Sequence, residues 1–410
     1  MGLNAEAARK RFPALERTIE GRPCVFADAP AGTQVPDVVI DAMADYLRRS
    51  NANVGGAFAT SLETDEAIAA ARRSAADLLG CDPGEVVFGP NMTTLSLALS
   101  RAVARELGPG DELVVTVLDH DANVAPWVLA AEDAGATVRW ADLDEEDCTL
   151  DLASLERALG ERTRVVALTL ASNAVGSVTP VDEVVTIVRE RAPEAILVGD
   201  AVHLAPHRSI DAGPFDAVLC SPYKFFGPHL GIMAARRELL ERLRPYKVRP
   251  APDEPPDRWE TGTQSHEALA GLTAAIGYLR DLVEGEGRPG VLAAMEEIRR
   301  HEAVLSGRYL EGIARIPAVR LFGIADPERV DERTPTFAIR VGGQHPRSTA
   351  EELARRGIFV WDGNYYALAI MERLGLEDEG GAVRIGFCHY HTEDEVDRVV
   401  EEVAALAAAP

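Results

Sequence analysis

The stretch AILVGDAVHLAPH at residues 195–207, followed by DAVLCSPYKFFGPHLG at residues 216–231, decides how this chain is built. Each segment begins with an apolar run and ends in small and polar residues, which is the pattern of a buried strand in a parallel sheet. Asp200 closes the first run, and Lys224 follows the second run in a turn. Because open α/β sheets bind ligands at the carboxyl ends of their strands, both side chains are candidate site residues.

Similar apolar runs precede this stretch and predict strands at residues 84–89, 111–117, 136–143 and 163–172. Segments of helical periodicity alternate with them, beginning at residues 93, 124, 150 and 181. This alternation predicts a large α/β domain with a mainly parallel sheet, spanning residues 20–265. After a proline-rich loop at residues 244–257, a long helix and strands in mixed order predict a smaller α+β domain, formed by residues 1–19 and 266–410.

Composition excludes several classes of function. The chain carries 42 Lys and Arg against 66 Asp and Glu, a net charge of −24, which argues against partners such as nucleic acid or an anionic membrane. The N-terminus lacks an apolar signal segment and no apolar stretch is long enough to span a membrane, so we expect a cytoplasmic protein. The five cysteines form no C-x-x-C pair, and we predict neither a disulfide framework nor a metal site.

Familiar nucleotide and metal motifs are missing. The sequence contains no G-x-G-x-x-G at the start of a helix after the first strand, no G-x-x-x-x-G-K-[ST] and no H-E-x-x-H. Dinucleotide-binding, P-loop and zinc-protease functions are therefore not indicated.

Lysine is rare in this chain: Lys10, Lys224 and Lys247 are its three lysines, among 42 basic residues. Arginine remains charged and cannot form a Schiff base, so a retained lysine can have a chemical role. Lys224 is flanked by Tyr223 and Phe225, which would desolvate its amine and lower its pKa toward reactivity. The plain alternative is a surface lysine in a loop.

A lysine and an aspartate on neighbouring strand ends form the pair that pyridoxal 5'-phosphate (PLP) requires. The lysine forms an imine with the cofactor, and the carboxylate keeps the ring nitrogen protonated. The phosphate is expected at a helix N-terminus, where Met92 and Thr93 offer free N–H groups and Ser221 a second hydroxyl. Alternatively, Thr93 is an ordinary N-cap.

The chain resembles the class V aminotransferase group of PLP enzymes of fold type I, and within it the cysteine desulfurases of the Suf type. The blocks that carry the resemblance occur in the family's order: VFADAPAGTQVP (25–36), DHDANVAPW (119–127), ASNAVGSVTP (171–180), GDAVHLAPHRSID (199–211), CSPYKFFGP (220–228) and WETGTQ (259–264). The resemblance implies an α/β fold of PLP-dependent transferase fold type I, with a large domain and a smaller C-terminal domain.

The resemblance also implies roles for single residues around the cofactor. His120 would stack on the pyridine ring, and Asp200 would face its nitrogen. His203 would stand beside the phenolic oxygen, where the family has a glutamine. Lys224 would form the imine, and Tyr223, a further cofactor-binding candidate, stands where the family has a histidine.

The substrate and a second subunit are assigned in the same way. Asn173 would lie near the phenolic oxygen or the substrate, and Arg384 would bind the substrate carboxylate by a bidentate pair. Thr263 would reach the phosphate of a neighbouring subunit, which implies a homodimer. The plain alternatives are a capping or core histidine at His120, a turn residue at Asn173 and a surface ion pair at Arg384.

The sequence departs from the desulfurases at the position of their catalytic cysteine. In VWDGNYYALAI at residues 360–370, Trp361 replaces the family's arginine and Tyr366 its cysteine. A phenol with a pKa near 10 cannot accept sulfur as a persulfide in the way a thiolate does. The segment 54–61 lacks the family's basic pair, and Cys388 follows Arg384 closely, though on a strand.

These observations predict a PLP-dependent enzyme acting on an amino acid, with Lys224, His120 and Tyr366 as catalytic residues and Trp361 in the substrate site. The leading reaction is cleavage of a C–S bond by β-elimination. Transamination or epimerisation, as in other class V enzymes, is the alternative. A hypothesis of another class is a non-catalytic scaffold that keeps the fold.

Overall fold

The computed structural model describes residues 3–408. Its strands are β1 (Thr18–Ile19), β2 (Arg22–Pro23), β3 (Val86–Gly89), β4 (Glu112–Thr116), β5 (Thr137–Ala141), β6 (Thr163–Thr169), β7 (Ile196–Asp200), β8 (Ala217–Cys220), β9 (Gly231–Ala235), β10 (Val319–Phe322), β11 (Thr336–Val341), β12 (Trp361–Gly363) and β13 (Ala382–Gly386).

The helices alternate with these strands. They are α1 (Ala5–Arg9), α2 (Asp37–Arg49), α3 (Ala59–Leu79), α4 (Met92–Ala104), α5 (Ala125–Ala134), α6 (Leu152–Ala158), α7 (Val181–Arg191), α8 (Arg237–Arg242), α9 (His266–Asp281), α10 (Gly287–Ile313), α11 (Pro346–Arg355), α12 (Leu368–Arg373) and α13 (Glu393–Ala407). Short 3-10 helices lie at Pro13–Glu16, Pro83–Glu85, Asp121–Asn123, Pro222–Lys224, Asp257–Trp259, Pro327–Glu332 and Glu377–Glu379.

A seven-stranded sheet of order β3-β9-β8-β7-β6-β4-β5 forms the centre of the molecule. The strands from β8 to β5 run parallel, whereas β9 is antiparallel to both of its neighbours. The prediction of an α/β fold with a mainly parallel mixed sheet is confirmed. Sequence patterns missed β9, because its GIMAA run is only five residues long and Ile232 is its single β-branched residue.

Apolar side chains cover both faces of this sheet, as its nearly continuous apolar strands require. On one face, Leu95 and Leu99 of α4 pack with Trp127 of α5 against the strands. On the other face, α3, α7, α9 and α10 contribute the buried side chains. Because helices cover both faces, the site residues gather at the carboxyl ends of the strands.

A second sheet of order β10-β11-β13-β12 is antiparallel throughout and packs against α10 and α13. Residues 25–28 reach it through bridges from Val25 to Ile358 and from Asp28 to Gly386. In the same segment, the Thr33 N–H donates to the Tyr223 carbonyl in the turn after β8, so the chain between β2 and α2 joins the two sheets. The division into residues 20–265 and residues 1–19 with 266–410 stays a prediction. Among the described residues, no helix has the length and apolar character that crossing a bilayer demands.

Gly231 provides a test of how closely the start of α4 packs against β9 of the sheet. A Cβ at this position would lie 2.8 Å from the Asn91 Cα and closer still to the Asn91 carbonyl group. We predict that Gly231→Ala destabilises the protein by about 1–3 kcal/mol, because backbone cannot move aside easily. Urea unfolding measures the change.

Gly307→Ala is the matched control. This glycine lies within α10 with open space around its Cα, so alanine should be neutral or stabilise the protein by up to about 1 kcal/mol through helix propensity. A Gly231→Ala protein as stable as the parent would contradict the close packing described here.

Candidate active site

A cavity of about 840 Å³ opens at the carboxyl ends of the parallel strands, and a smaller one of about 60 Å³ continues it toward the sheet. The residues common to both are Thr93, His120, Ala122, Asn173, Tyr223 and Lys224. The deeper part is bordered by β7 and β8 residues, and the outer part reaches β12 and β13 of the second sheet. The larger volume is in the range of cavities that bind small molecules.

Lys224 lies in the single 3-10 turn that follows β8. Its Nζ donates hydrogen bonds to the carbonyl oxygens of Pro30, at 2.6 Å, and Ala31, at 2.9 Å. Burial and the neighbouring Arg384 guanidinium lower the pKa of Lys224 to about 7, although Asp200 acts in the opposite direction. A substantial fraction of this amine is therefore uncharged at neutral pH and available as a nucleophile.

Asp200 is the last residue of β7 and is almost fully buried. Its Oδ1 accepts a hydrogen bond of 2.8 Å from the Val202 N–H. Burial raises the pKa of Asp200 to about 6, while that hydrogen bond and the Lys224 amine favour the ionised form. Asp200 and Lys224 both line the smaller cavity, as the neighbouring strand ends predicted.

His120 follows β4 and faces both cavities. Its Nδ1 accepts the Ala122 N–H at 3.0 Å, so the imidazole also caps the short helix Asp121–Asn123. Burial, together with the charges of Lys224 and Arg384, lowers the pKa of His120 to about 4, which makes the ring neutral at pH 7. This neutral, partly covered ring can stack on a flat ligand.

Tyr366 stacks on His120, with ring centroids 5.6 Å apart and an angle of 16° between the planes. The segment Tyr365–Tyr366 has left-handed backbone at both residues, with φ of 55° and 58°. The Tyr366 carbonyl accepts the Asp121 N–H at 2.6 Å, and the buried Tyr365 hydroxyl donates to the Ala382 carbonyl. Residues other than glycine rarely adopt this left-handed conformation, and several hydrogen bonds hold the turn in it.

Arg384 and Asn173 form the polar wall between the two sheets. Arg384 Nη1 donates to the Asn173 carbonyl at 2.9 Å, and its guanidinium lies 4.5 Å from the centre of the Tyr365 ring. Asn173 Nδ2 donates to the Tyr365 carbonyl at 3.0 Å. Arg384 is buried and so is not the surface ion-pair partner that the sequence left open. Burial lowers the pKa of Arg384 to about 10, which leaves it charged at pH 7.

The N-terminus of α4 borders both cavities, but in a different way from the prediction. Asn91 is the N-cap, because its Oδ1 accepts the Thr94 N–H at 2.8 Å, so the alternative of Thr93 as the N-cap is wrong. The Met92 N–H is not free either, since it donates to Ser221 Oγ at 3.1 Å. Thr93 follows and lines the cavities, which leaves this residue for a ligand.

Two more predicted residues lie at the smaller cavity. His203 is buried, and its Nε2 lies 3.2 Å from Thr334 Oγ1. Burial and the nearby His207 lower the pKa of His203 well below its usual value, so this ring is neutral. Tyr223 stacks on His229, with centroids 5.0 Å apart and an angle of 13°.

Trp361 and Thr263 occupy the periphery. Trp361 lines the larger cavity, opposite Arg384 in the β12–β13 register. Thr263 is exposed and does not line either cavity of this chain. Its contact with a neighbouring subunit stays a prediction.

Sequence reasoning missed two acids beside the site. Asp28 has a buried Oδ1 without a hydrogen-bond partner, and burial raises its pKa to about 6 against the influence of Arg384 and Lys224. Asp119 accepts a hydrogen bond from Asn123 Nδ2 at 2.7 Å and another from Thr116, and burial raises its pKa to about 8. Both acids lie in blocks that the resemblance had already selected, and an acid within an apolar run was the signal.

The cysteines lie away from the cavities. None of the five, all in the described part of the chain, lines either cavity. Burial raises the pKa of Cys81 to about 12 and that of Cys148 to about 11, and it raises the pKa of Cys388 well above its usual value. These thiols are protonated at neutral pH and poor nucleophiles.

The residues present fit PLP. Lys224 offers an amine with a lowered pKa, Asp200 a buried carboxylate, and Thr93 a hydroxyl at a helix N-terminus. Asn173 Oδ1 and Arg384 Nε are buried without hydrogen-bond partners among the described residues, as expected where a polar ligand completes a site. His120 and His203, both neutral, add a ring to stack on and a donor or acceptor.

Known proteins share this arrangement of chain and fold. Three curated relatives align with almost the whole chain: an uncharacterized protein of Mycobacterium tuberculosis (32% identical, covering 93% of this chain and 95% of the relative), a probable cysteine desulfurase of Streptomyces coelicolor (31%, 97% and 96%) and a cysteine desulfurase of Pectobacterium atrosepticum (30%, 98% and 97%).

Solved structures share the fold of this chain. An apo cysteine desulfurase from Thermococcus onnurineus superposes with a TM-score of 0.88 at 25% identity, covering 99% of this chain and 98% of that one. A cysteine desulfurase from Escherichia coli gives 0.83 at 25% identity, covering 98% of each chain. The family described as aminotransferase class V matches residues 25–399. The chain therefore belongs to the class V aminotransferase family.

Proposed function

We propose that this protein is a PLP-dependent lyase that cleaves the C–S bond of a β-thio amino acid by β-elimination. The observation that carries the proposal is the convergence of Lys224, Asp200 and Arg384 on two adjoining cavities, which share Lys224 and which no cysteine lines. A scaffold has no use for a half-neutral amine, a buried carboxylate and a buried guanidinium facing the same space.

When bound, PLP supplies an electron sink that stabilises negative charge at the substrate's α-carbon. Asp200 would keep the ring nitrogen protonated, His120 would stack on the ring, and Thr93 with Ser221 would hold the phosphate. Lys224 would bind the cofactor aldehyde and then take the proton from the α-carbon. Its pKa near 7 suits both accepting and releasing a proton at neutral pH.

Arg384 would bind the substrate carboxylate, and Asn173 would orient the amino acid beside it. The free Nε of Arg384 and its stacked position on Tyr365 support this role, since the guanidinium is held in place before a ligand arrives. Tyr366, 73% exposed at the cavity, would donate a proton to the departing sulfur.

Elimination is preferred to persulfide transfer because the site lacks a usable thiol. From the resemblance of the sequence, we take Tyr366 to replace the cysteine that accepts sulfur in the desulfurases of this family. The segment that carries Tyr366 is also held by hydrogen bonds from Asp121 and to Asn364. Sulfur would therefore leave as sulfide or as a thiol, with pyruvate and ammonium as the other products.

A homodimer and a cytoplasmic location are part of the same proposal. The exposed position of Thr263 is compatible with a contact to the neighbouring subunit's phosphate site, and the five cysteines are unpaired, as is usual in a reducing compartment.

Borohydride reduction in the presence of PLP should attach the cofactor to Lys224. Because its pKa is about 7, the reactive uncharged form should increase from about 10% at pH 6 to about 90% at pH 8, whereas an ordinary lysine stays charged over this range. Peptide mass spectrometry after reduction at each pH measures the labelled fraction.

Lys224→Arg should abolish the label, because arginine keeps the charge but forms no imine. Lys10→Arg and Lys247→Arg are the matched controls and should label as the parent does. Label recovered mainly on Lys10 or Lys247 would contradict the assignment.

Turnover of cysteine should produce sulfide, pyruvate and ammonium in equal amounts, without a 32 Da adduct on any enzyme cysteine. Tyr366→Phe should reduce the rate of sulfide formation by about 10- to 100-fold, because the departing sulfur loses its proton donor. Tyr246→Phe, an exposed tyrosine outside both cavities, is the control and should have no effect. Product assays and mass spectrometry of the enzyme give the result.

A stoichiometric 32 Da adduct together with alanine would show a desulfurase instead. A keto acid with the amino group retained on the cofactor would show an aminotransferase.

Light scattering should give about twice the chain mass of 44.1 kDa. Thr263→Ala should weaken PLP retention by about tenfold if it contributes one hydrogen bond to the partner's phosphate site. Thr261→Ala, in the same exposed loop, is the control. A monomer with full PLP occupancy would rule out the shared site.

A further inference from the structure

The outer cavity has an apolar region that cleavage of free cysteine would leave unused. Its walls are formed by residues of α4 and α5 on one side and by the β12 segment on the other, notably Leu97, Pro126, Leu129, Trp361 and Tyr366. We infer, on the basis of the proposed function, that the preferred substrate is an S-substituted cysteine whose substituent is aromatic or otherwise bulky and apolar, and carries no negative charge.

The volume supports this inference. At the about 30 Å³ that a water molecule occupies in the liquid, the seven non-hydrogen atoms of cysteine would fill about 210 Å³. The sixteen of PLP would fill about 480 Å³ on the same generous scale. The two adjoining cavities together measure about 900 Å³, so about 210 Å³ remains, which on this scale holds about seven further non-hydrogen atoms, as many as a benzyl group has.

Large apolar side chains in this wall are open to solvent. Leu129 and Trp361 are each 51% exposed, and Tyr366 is 73% exposed. Single exposed apolar residues are common on protein surfaces, but three that line one cavity form a contact surface for an apolar ligand. An aromatic substituent would cover them and remove this area from water.

The β-sheet register orients the substrate toward this wall. Trp361 lies directly opposite Arg384 on neighbouring antiparallel strands, and both line the cavity. Directly opposed side chains in such a pair have Cβ atoms about 4.5–5.5 Å apart. An amino acid whose carboxylate is bound by Arg384 therefore lies beside the indole of Trp361.

The charge of the cavity disfavours anionic substituents. Asp121, Asp362 and Glu377 all line it, and Glu377 Oε2 is buried without a hydrogen-bond partner among the described residues. Asp362 is paired with Arg347 at 3.2 Å, whereas Glu377 accepts a neutral hydrogen bond from Asn364. A substituent with a hydrogen-bond donor or positive charge would suit Glu377, and a carboxylate there would be repelled.

The reaction balances without a further oxidant or reductant. The α-C–H and β-C–S bonds break, the sulfur leaves with a proton as the thiol, and one water releases pyruvate and ammonium. For S-benzylcysteine, the products are benzyl mercaptan, pyruvate and ammonium.

The test compares cysteine, S-benzylcysteine and S-(4-carboxybenzyl)cysteine with the PLP-loaded enzyme. We expect kcat/KM for S-benzylcysteine to exceed that for cysteine at least about tenfold. We expect kcat/KM for S-(4-carboxybenzyl)cysteine to be at least about tenfold lower than that for S-benzylcysteine. Calorimetry with cofactor-free protein, in which no turnover occurs, should rank the three compounds by affinity in the same way, with S-benzylcysteine binding most tightly.

Trp361→Ala should reduce the ratio of kcat/KM for S-benzylcysteine over cysteine at least about fivefold and weaken S-benzylcysteine binding in calorimetry. Trp140→Ala is the matched control, because Trp140 is similarly exposed at 44% but lies on β5, outside both cavities. This control should leave the ratio unchanged.

The outcomes separate the inference from the proposed function. If cysteine yields pyruvate and sulfide while S-benzylcysteine is no better a substrate or ligand, the inference is wrong and the lyase assignment stands. If S-benzylcysteine binds tightly through Trp361 but neither compound yields pyruvate, the apolar binding wall is upheld and the lyase assignment is wrong. Equal use of the benzyl and carboxybenzyl compounds would overturn the charge selectivity.

Discussion

The structure of the site depends on the burial of one amine. Lys224 Nζ is held by the carbonyl oxygens of Pro30 and Ala31, so the segment before α2 is bound to the turn after β8. Desolvation and repulsion by the nearby Arg384 guanidinium lower the pKa of this amine to about 7, because the neutral carbonyl oxygens stabilise an ammonium less well than a direct carboxylate partner would. The contact that joins the two sheets thus also prepares the nucleophile.

Polar groups around this amine remain only partly satisfied. Asp28 Oδ1, Asn173 Oδ1 and Arg384 Nε are buried without partners among the described residues, and each costs about 1–3 kcal/mol if it stays so. The burial of large continuous apolar faces in the surrounding sheets and helices offsets this unfavourable free energy. Asn173 and Arg384 line the larger cavity, so a polar ligand that bonds to them there would stabilise the folded protein.

The turn at Tyr365–Tyr366 fixes the position of an aromatic side chain at the cavity wall. Two consecutive aromatic residues with positive φ are unfavourable unless contacts hold them, and here the buried Tyr365 ring and the stacking of Tyr366 on His120 do so. A phenol held in this way at the cavity wall is positioned for the proposed role of donating a proton to the departing sulfur.

The sequence by itself determined the class of fold, because apolar runs that alternate with helical periodicity leave few arrangements other than a covered parallel sheet. It also selected Lys224 and Asp200, since a rare lysine and an acid after apolar strands are local signals. It could not reveal β9, whose five-residue run is too short to show a strand pattern, nor that the Met92 N–H is hydrogen-bonded to Ser221 Oγ. The apolar wall, the missed Asp28 and the separation of every cysteine from the cavity depend on contacts between residues far apart in the chain. Only the tertiary structure decides such contacts, because hydrogen bonding and desolvation depend on distance in space and not on spacing in sequence.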